Sequence, residues 1–199
     1  MADLAVALRE RLGFCLRVAR SSVPHREAGN GLWLEGRAPL GSVVALYPGV
    51  VYSSEQYRFI PGYPAIDKGN SYIVGRYDGA VIDAKPWGAG DPAGGSPAHF
   101  ANHPPAGAEP NVVVASLDAF PARLGALRRY VPNVTYAELS AATDAAAADA
   151  DPAVPALCFV ATRDLEDEEL LLNYRYSPHV RRPSWYVPVD AEEDERRWD

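Results

Sequence analysis

Residues 161–174 read Ala-Thr-Arg-Asp-Leu-Glu-Asp-Glu-Glu-Leu-Leu-Leu-Asn-Tyr and are the most informative stretch of the chain. The acidic run in the middle is typical of a solvated turn, and the tyrosine at the end is typical of a core side chain. Directly before this stretch, the apolar run at residues 156–161 predicts a β-strand. Any β-rich domain could contain such a segment, so its meaning depends on what precedes it.

Upstream, from Gly29 to about Val114, short β-like runs alternate with turn residues. Gly, Pro, Asn or Asp bounds each run, and a loop dense in Gly and Pro follows at residues 85–98. The pattern predicts a mainly β fold with short helices. The runs are residues 32–34, 42–47, 49–52, 71–75, 80–83 and 111–115.

The first residues of the chain have a different pattern. Leucines recur at helical spacing over residues 3–20, with arginines mostly off that stripe, and the pattern predicts an amphipathic helix that ends at residues 21–24. An arginine-rich start is also compatible with a mitochondrial transit peptide, although Asp3 and Glu10 disfavour one because such peptides avoid acids. The leucines are Leu4, Leu8, Leu12 and Leu16.

Residues 117–155 interrupt the β pattern. Apolar spacing predicts a short helix around Leu124, Leu127 and Tyr130. The Ala/Asp-rich stretch from Thr143 to Asp151 has no apolar side chain larger than alanine, and it predicts a mobile surface loop.

The tail after residue 176 divides into two parts. Residues 182–188 carry two large aromatics, Trp185 and Tyr186, between prolines, and such a segment is expected to dock on the body of the protein. The acidic residues 190–199 are expected to stay solvated.

Composition and charge disfavour several classes of protein. The 199 residues carry 19 basic and 26 acidic side chains, a net charge of −7 without a basic stripe, which disfavours nucleic-acid binding. No apolar run approaches the ~18–20 residues of a membrane-spanning helix. Two cysteines, Cys15 and Cys158, are too few for a structural zinc site, and the histidines have no convincing ligand spacing, so no metal is expected. Reduced thiols are favoured over one disulfide, which suggests an intracellular protein.

Four short signals occur in a fixed order along the chain. Each has an ordinary explanation when taken alone: a tight turn, a turn with a partly buried tyrosine, a loop, and an acidic turn. A Rossmann phosphate site is a poor match, since no GxGxxG is completed and no helix follows the glycines. The signals are Gly29-Asn30-Gly31-Leu32-Trp33, Tyr47-Pro48-Gly49, Phe100-Ala101-Asn102-His103 followed by Pro110-Asn111, and residues 163–174.

Together with Val81-Ile82-Asp83-Ala84, this order resembles the SET-domain family of protein lysine methyltransferases. The resemblance covers about residues 29–116 and 156–176. It implies a SET fold in which the C-terminal strand threads through a preceding loop as a pseudoknot. The expected organisation is an N-terminal helix at 1–28, a SET-like domain at 29–176 with an insertion at about 117–155, and a tail at 177–199.

The resemblance also implies a function and a site. It implies an S-adenosyl-L-methionine cofactor, a protein substrate that bears a lysine, and Tyr174 as the catalytic residue. Further tyrosines, Tyr47 and Tyr72, are candidates for the substrate channel, and we expect Trp185 and Tyr186 to shape one wall of it. The cofactor site would be lined by the backbone of Gly29, Gly31, Leu32 and Trp33 and closed by Asn102 and His103.

Departures from the family pattern leave two hypotheses open. Three extra residues lie between Asn102-His103 and Pro110-Asn111, Asn173 stands where aspartate is commonest, and no cysteine-rich lid follows Tyr174. These departures favour a catalytically inactive SET-fold binding or scaffold module. The retained glycine, Asn-His and tyrosine signals favour an active methyltransferase. A nuclear or cytoplasmic location is expected, with a mitochondrial one as the alternative.

Overall fold

The structure is a computed structural model and describes residues 2–66, 68–85, 96–118, 131–141 and 154–199. The chain forms two compact units. The first comprises Met1–Val44, Phe100–Val114 and Phe159–Asp199, and the second comprises Ala45–His99 and Ala115–Cys158.

Short strands dominate the described residues, which confirms the predicted mainly β fold with short helices. Three short 3₁₀ helices, Arg26–Ala28, Ser54–Phe59 and Ala98–Phe100, lie between them. The other elements are α1 (Ala2–Leu12), β1 (Phe14–Arg20), β2 (Asn30–Ala38), β3 (Val43–Tyr47), β4 (Gly49–Tyr52), β5 (Ile73–Gly75), β6 (Val81–Asp83), β7 (Val112–Leu117), β8 (Asn133–Thr135), α2 (Tyr136–Ala141), β9 (Ala156–Ala161), β10 (Leu165–Leu170) and α3 (Ala191–Trp198).

The predicted helix over residues 3–20 is wrong beyond Leu12. Gly13, with φ +85°, ends α1 by donating its N–H to the Arg9 carbonyl, a conformation that glycine adopts without strain. Residues 14–20 then form β1, whose first residue, Phe14, is buried. Leu12 itself is 56% exposed, so part of the leucine stripe that predicted the helix does not face a core.

The sheet of the first unit has the order β1–β2–β10, with both neighbours antiparallel to the central β2. Leu32, Leu34 and Leu170 are fully buried in it. A bulge between Glu166 and Glu168 interrupts the β10 register, because Asp167 turns into the left-handed region at φ +44°. The bulge changes which side chains of the acidic run face inward. The segment that was predicted as a solvated turn therefore forms a strand with buried positions.

The other two sheets are smaller. Strands β3, β9 and β7 form one in the order β3–β9–β7. In the second unit, β5, β6, β4 and β8 form a four-stranded sheet around a core of apolar side chains. The core residues are Val50, Tyr52, Ile60 and Val81.

The acidic tail is not fully solvated, contrary to the prediction. Residues 191–198 form α3, which Asp190 caps by accepting a hydrogen bond from the Glu193 N–H at 2.8 Å. Asp194 is only 2% exposed. The predicted helix around Leu124, Leu127 and Tyr130 and the loop from Thr143 to Asp151 lie outside the described residues.

Candidate functional site

Two isolated parallel bridges place residues 171 and 172 between two earlier segments of the first unit. Asn102 pairs with Leu171, and Val112 pairs with Leu172. The Leu172 N–H donates to the Asn102 carbonyl at 2.8 Å, and the Asn111 N–H donates to the Leu171 carbonyl at 3.0 Å. The Asn-His and Pro-Asn signals therefore flank the segment that ends at Tyr174.

A buried asparagine, Asn111, fixes this arrangement. Its Oδ1 accepts from the Leu171 N–H at 2.7 Å. Its Nδ2 donates to the Glu169 carbonyl and to the Glu168 carboxylate, both at 2.8 Å. Because this buried side chain hydrogen-bonds two backbone groups, the Leu171 N–H and the Glu169 carbonyl, replacing it would remove both bonds in a buried place.

A second buried polar group, the carboxylate of Glu169, holds the segment that leads into the Gly-x-Gly turn. It accepts from Ser21 Oγ at 2.7 Å, from the Ser22 N–H at 2.7 Å and from Ser22 Oγ at 2.6 Å. The side chain passes directly over Gly31, where an added Cβ would lie 2.0 Å from Glu169 Oε1. Position 31 therefore requires glycine, because the side chain of any other residue would collide with this carboxylate.

Asn102 connects the Gly-x-Gly turn to the same carboxylate. Its Nδ2 donates to the Asn30 carbonyl at 3.0 Å, to the Ala28 carbonyl at 3.2 Å and to Glu169 Oε1 at 3.3 Å. The structure thus brings two of the sequence signals together, 72 residues apart along the chain.

The imidazole of His103 joins Tyr174 to the tail. Its Nδ1 accepts from the Tyr174 N–H at 3.2 Å, so the proton of the neutral ring lies on Nε2, which donates to the Val187 carbonyl at 2.8 Å. Burial lowers the pKa of His103 below its ordinary value. A protonated Nδ1 could not accept from Tyr174, so this hydrogen bond requires the neutral form.

This requirement predicts a pH dependence of stability. Since the folded pKa of His103 lies below the unfolded value of ~6.5, the unfolded chain binds the extra proton, and the free energy of unfolding should fall as pH drops below ~6.5. Denaturant unfolding at pH 7 and at successively lower pH measures it. His103→Gln should flatten the dependence, whereas substituting the exposed His179 should not. Equal slopes in all three proteins would contradict the prediction.

The aromatic ring of Tyr174 lies among other aromatic side chains. Its hydroxyl donates to the Ala101 carbonyl at 3.0 Å, and its ring centroid is 5.5 Å from those of His103 and Tyr176. Directly after it, Arg175 adopts φ +49°, and the N–H of Arg175 donates to Asn173 Oδ1. A left-handed residue next to a candidate catalytic side chain is a typical location for local backbone strain.

The two tail aromatics dock on this unit. Tyr186 is 6% exposed, and its ring centroid is 4.5 Å from that of His103. Trp185 is half-buried, 6.2 Å from the Tyr174 ring, and its Nε1 donates to Glu27 Oε2 at 2.8 Å. These contacts place Trp185 beside Tyr174 and Tyr186 beside His103, in a cluster of aromatic rings.

A cleft of about 270 Å³ opens beside the Gly-x-Gly turn, slightly below the ~300–1,000 Å³ typical of small-molecule sites. Two arginines, Arg20 and Arg26, lie in its wall, and the ring of His25 packs at a tilt against that of Trp185, with the centroids 5.8 Å apart. The arginines make the cleft suited to an anionic group such as a carboxylate. Its lining residues are Arg20, Ser21, Val23, His25, Arg26, Gly29 and Asn30.

The remaining predicted residues lie elsewhere. Leu32 and Trp33 pair with both neighbouring strands in the middle of β2, and the indole of Trp33 donates to the Arg20 carbonyl at 3.3 Å. Tyr47 and Tyr72 belong to the second unit, where Tyr47 is buried and the Tyr72 ring packs edge-on against His99.

Several residues of this site are absent from the sequence-based prediction: Glu169, Tyr176, Arg182 and Asp194. For Glu169 no signal could be used, because the bulge at Asp167 interrupts the alternation of inward and outward side chains along the strand. For Asp194 none existed, because one aspartate within an acidic run is indistinguishable from its neighbours.

No protein-family model matches the chain, and no curated protein matches it significantly in sequence. Within the described residues, no helix is both long and apolar enough to cross a membrane. The described histidines, cysteines and carboxylates likewise form no cluster suited to a metal ion.

Proposed function

We propose that the protein transfers a methyl group from S-adenosylmethionine to the side chain of a protein lysine. The observation that carries the proposal is the meeting of His103 and Tyr174, 71 residues apart in sequence, through a backbone-to-imidazole hydrogen bond. Asn102, next to His103, holds the Gly-x-Gly turn that lines the cleft. Three of the four signals thus converge in one compact unit, whereas Tyr47-Pro48-Gly49 lies in the other, and the convergence of the three supports the family resemblance.

S-adenosylmethionine, when bound, supplies a methyl group already activated as a sulfonium. The protein must then supply a neutral, aligned amine. Free lysine has a pKa of ~10.4, so holding it neutral at pH 7 costs roughly 4–5 kcal/mol. A lysine amine that enters between the rings around Tyr174 would lose its hydration, and loss of hydration disfavours the ammonium form.

The hydroxyl of Tyr174 is suited to orienting that amine. Its proton is donated to the Ala101 carbonyl at 3.0 Å, which fixes the orientation of the phenol, and a phenol oxygen is also an acceptor that a lysine N–H can use. One accepted proton directs the nitrogen lone pair away from the tyrosine. Alignment of that kind is the main contribution a protein makes to a displacement reaction.

A catalytically inactive SET-fold binding module is the second candidate. It is favoured by one observation: the Asn102 amide donates to two carbonyls and the Glu169 carboxylate within the unit itself. In that case the asparagine serves the fold, and the cleft binds no cofactor.

Binding of S-adenosylhomocysteine separates the two candidates. We expect it to raise the melting temperature of the wild type, because a ligand that binds only the native state stabilises it by mass action. Asn102→Ala should abolish the shift, since the Gly-x-Gly turn loses its side-chain tether.

The matched control is Asn70→Ala, which removes a buried asparagine with one carboxylate partner, Asp83, in the second unit. It should lower the melting temperature and keep the ligand-induced shift. Absence of heat in titration calorimetry and of a shift in the wild type would favour the inactive module. An unchanged shift in Asn102→Ala would remove Asn102 from the site.

A further inference from the structure

One buried carboxylate, Asp194, has no role in the proposed function so far. It is 2% exposed, although it lies in the acidic helix α3. Its Oδ2 accepts from the Tyr186 hydroxyl and from Arg182 Nη2, both at 3.2 Å. A buried charge is costly unless it is paired and hydrogen-bonded, so these two contacts define what Asp194 does.

Both partners of Asp194 hold the aromatic segment that follows Tyr174. The guanidinium of Arg182 donates to the Tyr176 carbonyl and stacks on the Tyr186 ring at 5.1 Å. The Tyr186 hydroxyl accepts from the Tyr176 N–H at 3.2 Å. Asp194 therefore orders Tyr176, Arg182 and Tyr186 as one polar and aromatic network.

This network reaches His103 within one more contact. The Tyr186 ring lies 4.5 Å from the imidazole, and the carbonyl of the next residue, Val187, accepts the hydrogen bond from Nε2. The other nitrogen of His103 accepts from the Tyr174 N–H. If the Tyr186 segment moves, the imidazole of His103 loses both its hydrogen bond to Val187 and its packing against Tyr186. The ring that accepts from the Tyr174 N–H is then no longer held in place.

We propose that Asp194 is a positioning residue for methyl transfer: from α3 it fixes Tyr186 and Arg182, and through them the aromatic wall at His103 and Tyr174. The inference rests on the proposed function. Asp194 touches no reacting group in this scheme, so its effect is on alignment and not on the chemistry itself.

Other contacts tie α3 to the unit without Asp194. Glu193 forms an ion pair with Arg175 at 3.0 Å, and the Trp198 indole donates to the Arg175 carbonyl at 3.1 Å. Removing the Asp194 carboxylate should therefore loosen the segment of Tyr186 while α3 stays docked.

Hydrogen exchange tests the structural half of the proposal without any assay of activity. In Asp194→Ala, peptides that contain Tyr176 and Tyr186 should lose protection, while those from β1 and β2 stay protected. Glu195→Ala is the matched control, because it removes one negative charge from an exposed position of the same helix. Equal protection at the Tyr176 N–H in both variants would overturn the proposal.

Methyl transfer from tritiated S-adenosylmethionine to a heat-treated whole-cell protein extract tests the other half. Asp194→Ala should lower the maximal rate by ~10²-fold, the scale of misalignment effects, with S-adenosylhomocysteine affinity unchanged. Asp194→Asn keeps one acceptor oxygen and should restore part of the rate. If the wild type is active and Asp194→Ala matches Glu195→Ala in rate, Asp194 is not a positioning residue. If the wild type transfers no label, the proposed function fails, and the predicted effect of Asp194 on the transfer rate fails with it. Hydrogen exchange still decides whether Asp194 orders the segment of Tyr176 and Tyr186.

Discussion

Replacing Tyr174 by phenylalanine is expected to lower the rate of methyl transfer by ~10²-fold or more and to leave cofactor binding nearly intact. The ring keeps its contacts with His103 and Trp185, whereas the hydroxyl that would orient the amine is lost. The fold should change little, since one hydrogen bond, to the Ala101 carbonyl, is worth about 1 kcal/mol net. Transfer rate and S-adenosylhomocysteine affinity, measured on the same preparation, separate the two effects.

The control for this variant is Tyr77→Phe, which removes a hydroxyl from a tyrosine that is 74% exposed in the second unit. It should transfer label at the wild-type rate. Equal rates in wild type and Tyr174→Phe would exclude Tyr174 as the catalytic residue, whatever the fate of the rest of the scheme.

The second large effect is expected at Gly31. Alanine there would place Cβ 2.0 Å from Glu169 Oε1 and 2.7 Å from Cδ, too close for any real contact. The carboxylate must move, and its donors on Ser21 and Ser22 lose their partner. We expect a loss of about 3 kcal/mol in the free energy of unfolding, from overpacking and unpaired buried groups together. Denaturant unfolding measures it.

A matched glycine distinguishes this explanation from a general intolerance of alanine. Gly75, in strand β5, has ordinary φ and no atom within 4 Å of an added Cβ, so Gly75→Ala should be neutral. The double variant Gly31→Ala/Glu169→Ala should lose less stability than the two single losses added together, because the clash disappears with the side chain. If the losses of stability in the two single variants add up to the loss in the double variant, Gly31 is not needed to make room for Glu169.

The strand pattern of the chain was predictable, because alternating apolar runs between turn residues respond to local rules. The strand at residues 14–20 was not predictable. The leucines at 8, 12 and 16 satisfy a helical period, although Gly13 ends the helix before the last of them. Only pairing with β2 decides that the second half is a strand. Strand β10 was hidden for a similar reason: its acidic residues have the composition of a turn, and the bulge at Asp167 obscures the alternation.

For the site, sequence order supplied Asn102, His103 and Tyr174, and the structure places the backbone of Tyr174 within hydrogen-bond distance of the His103 ring. The acidic residues that support them were not predictable. Glu169 and Asp194 differ from neighbouring acids only by burial, which arises from tertiary packing and not from local sequence.

The most direct test of the proposed function is the chemical identity of the labelled product. Wild-type protein is incubated with tritiated S-adenosylmethionine and a heat-treated whole-cell extract, whose own enzymes are inactive, and the proteins are then hydrolysed to amino acids. The label is expected to elute with methylated lysine and to fall by ~10²-fold with Tyr174→Phe. Label no higher than in extract without the protein, or label in another amino acid, would contradict lysine methylation.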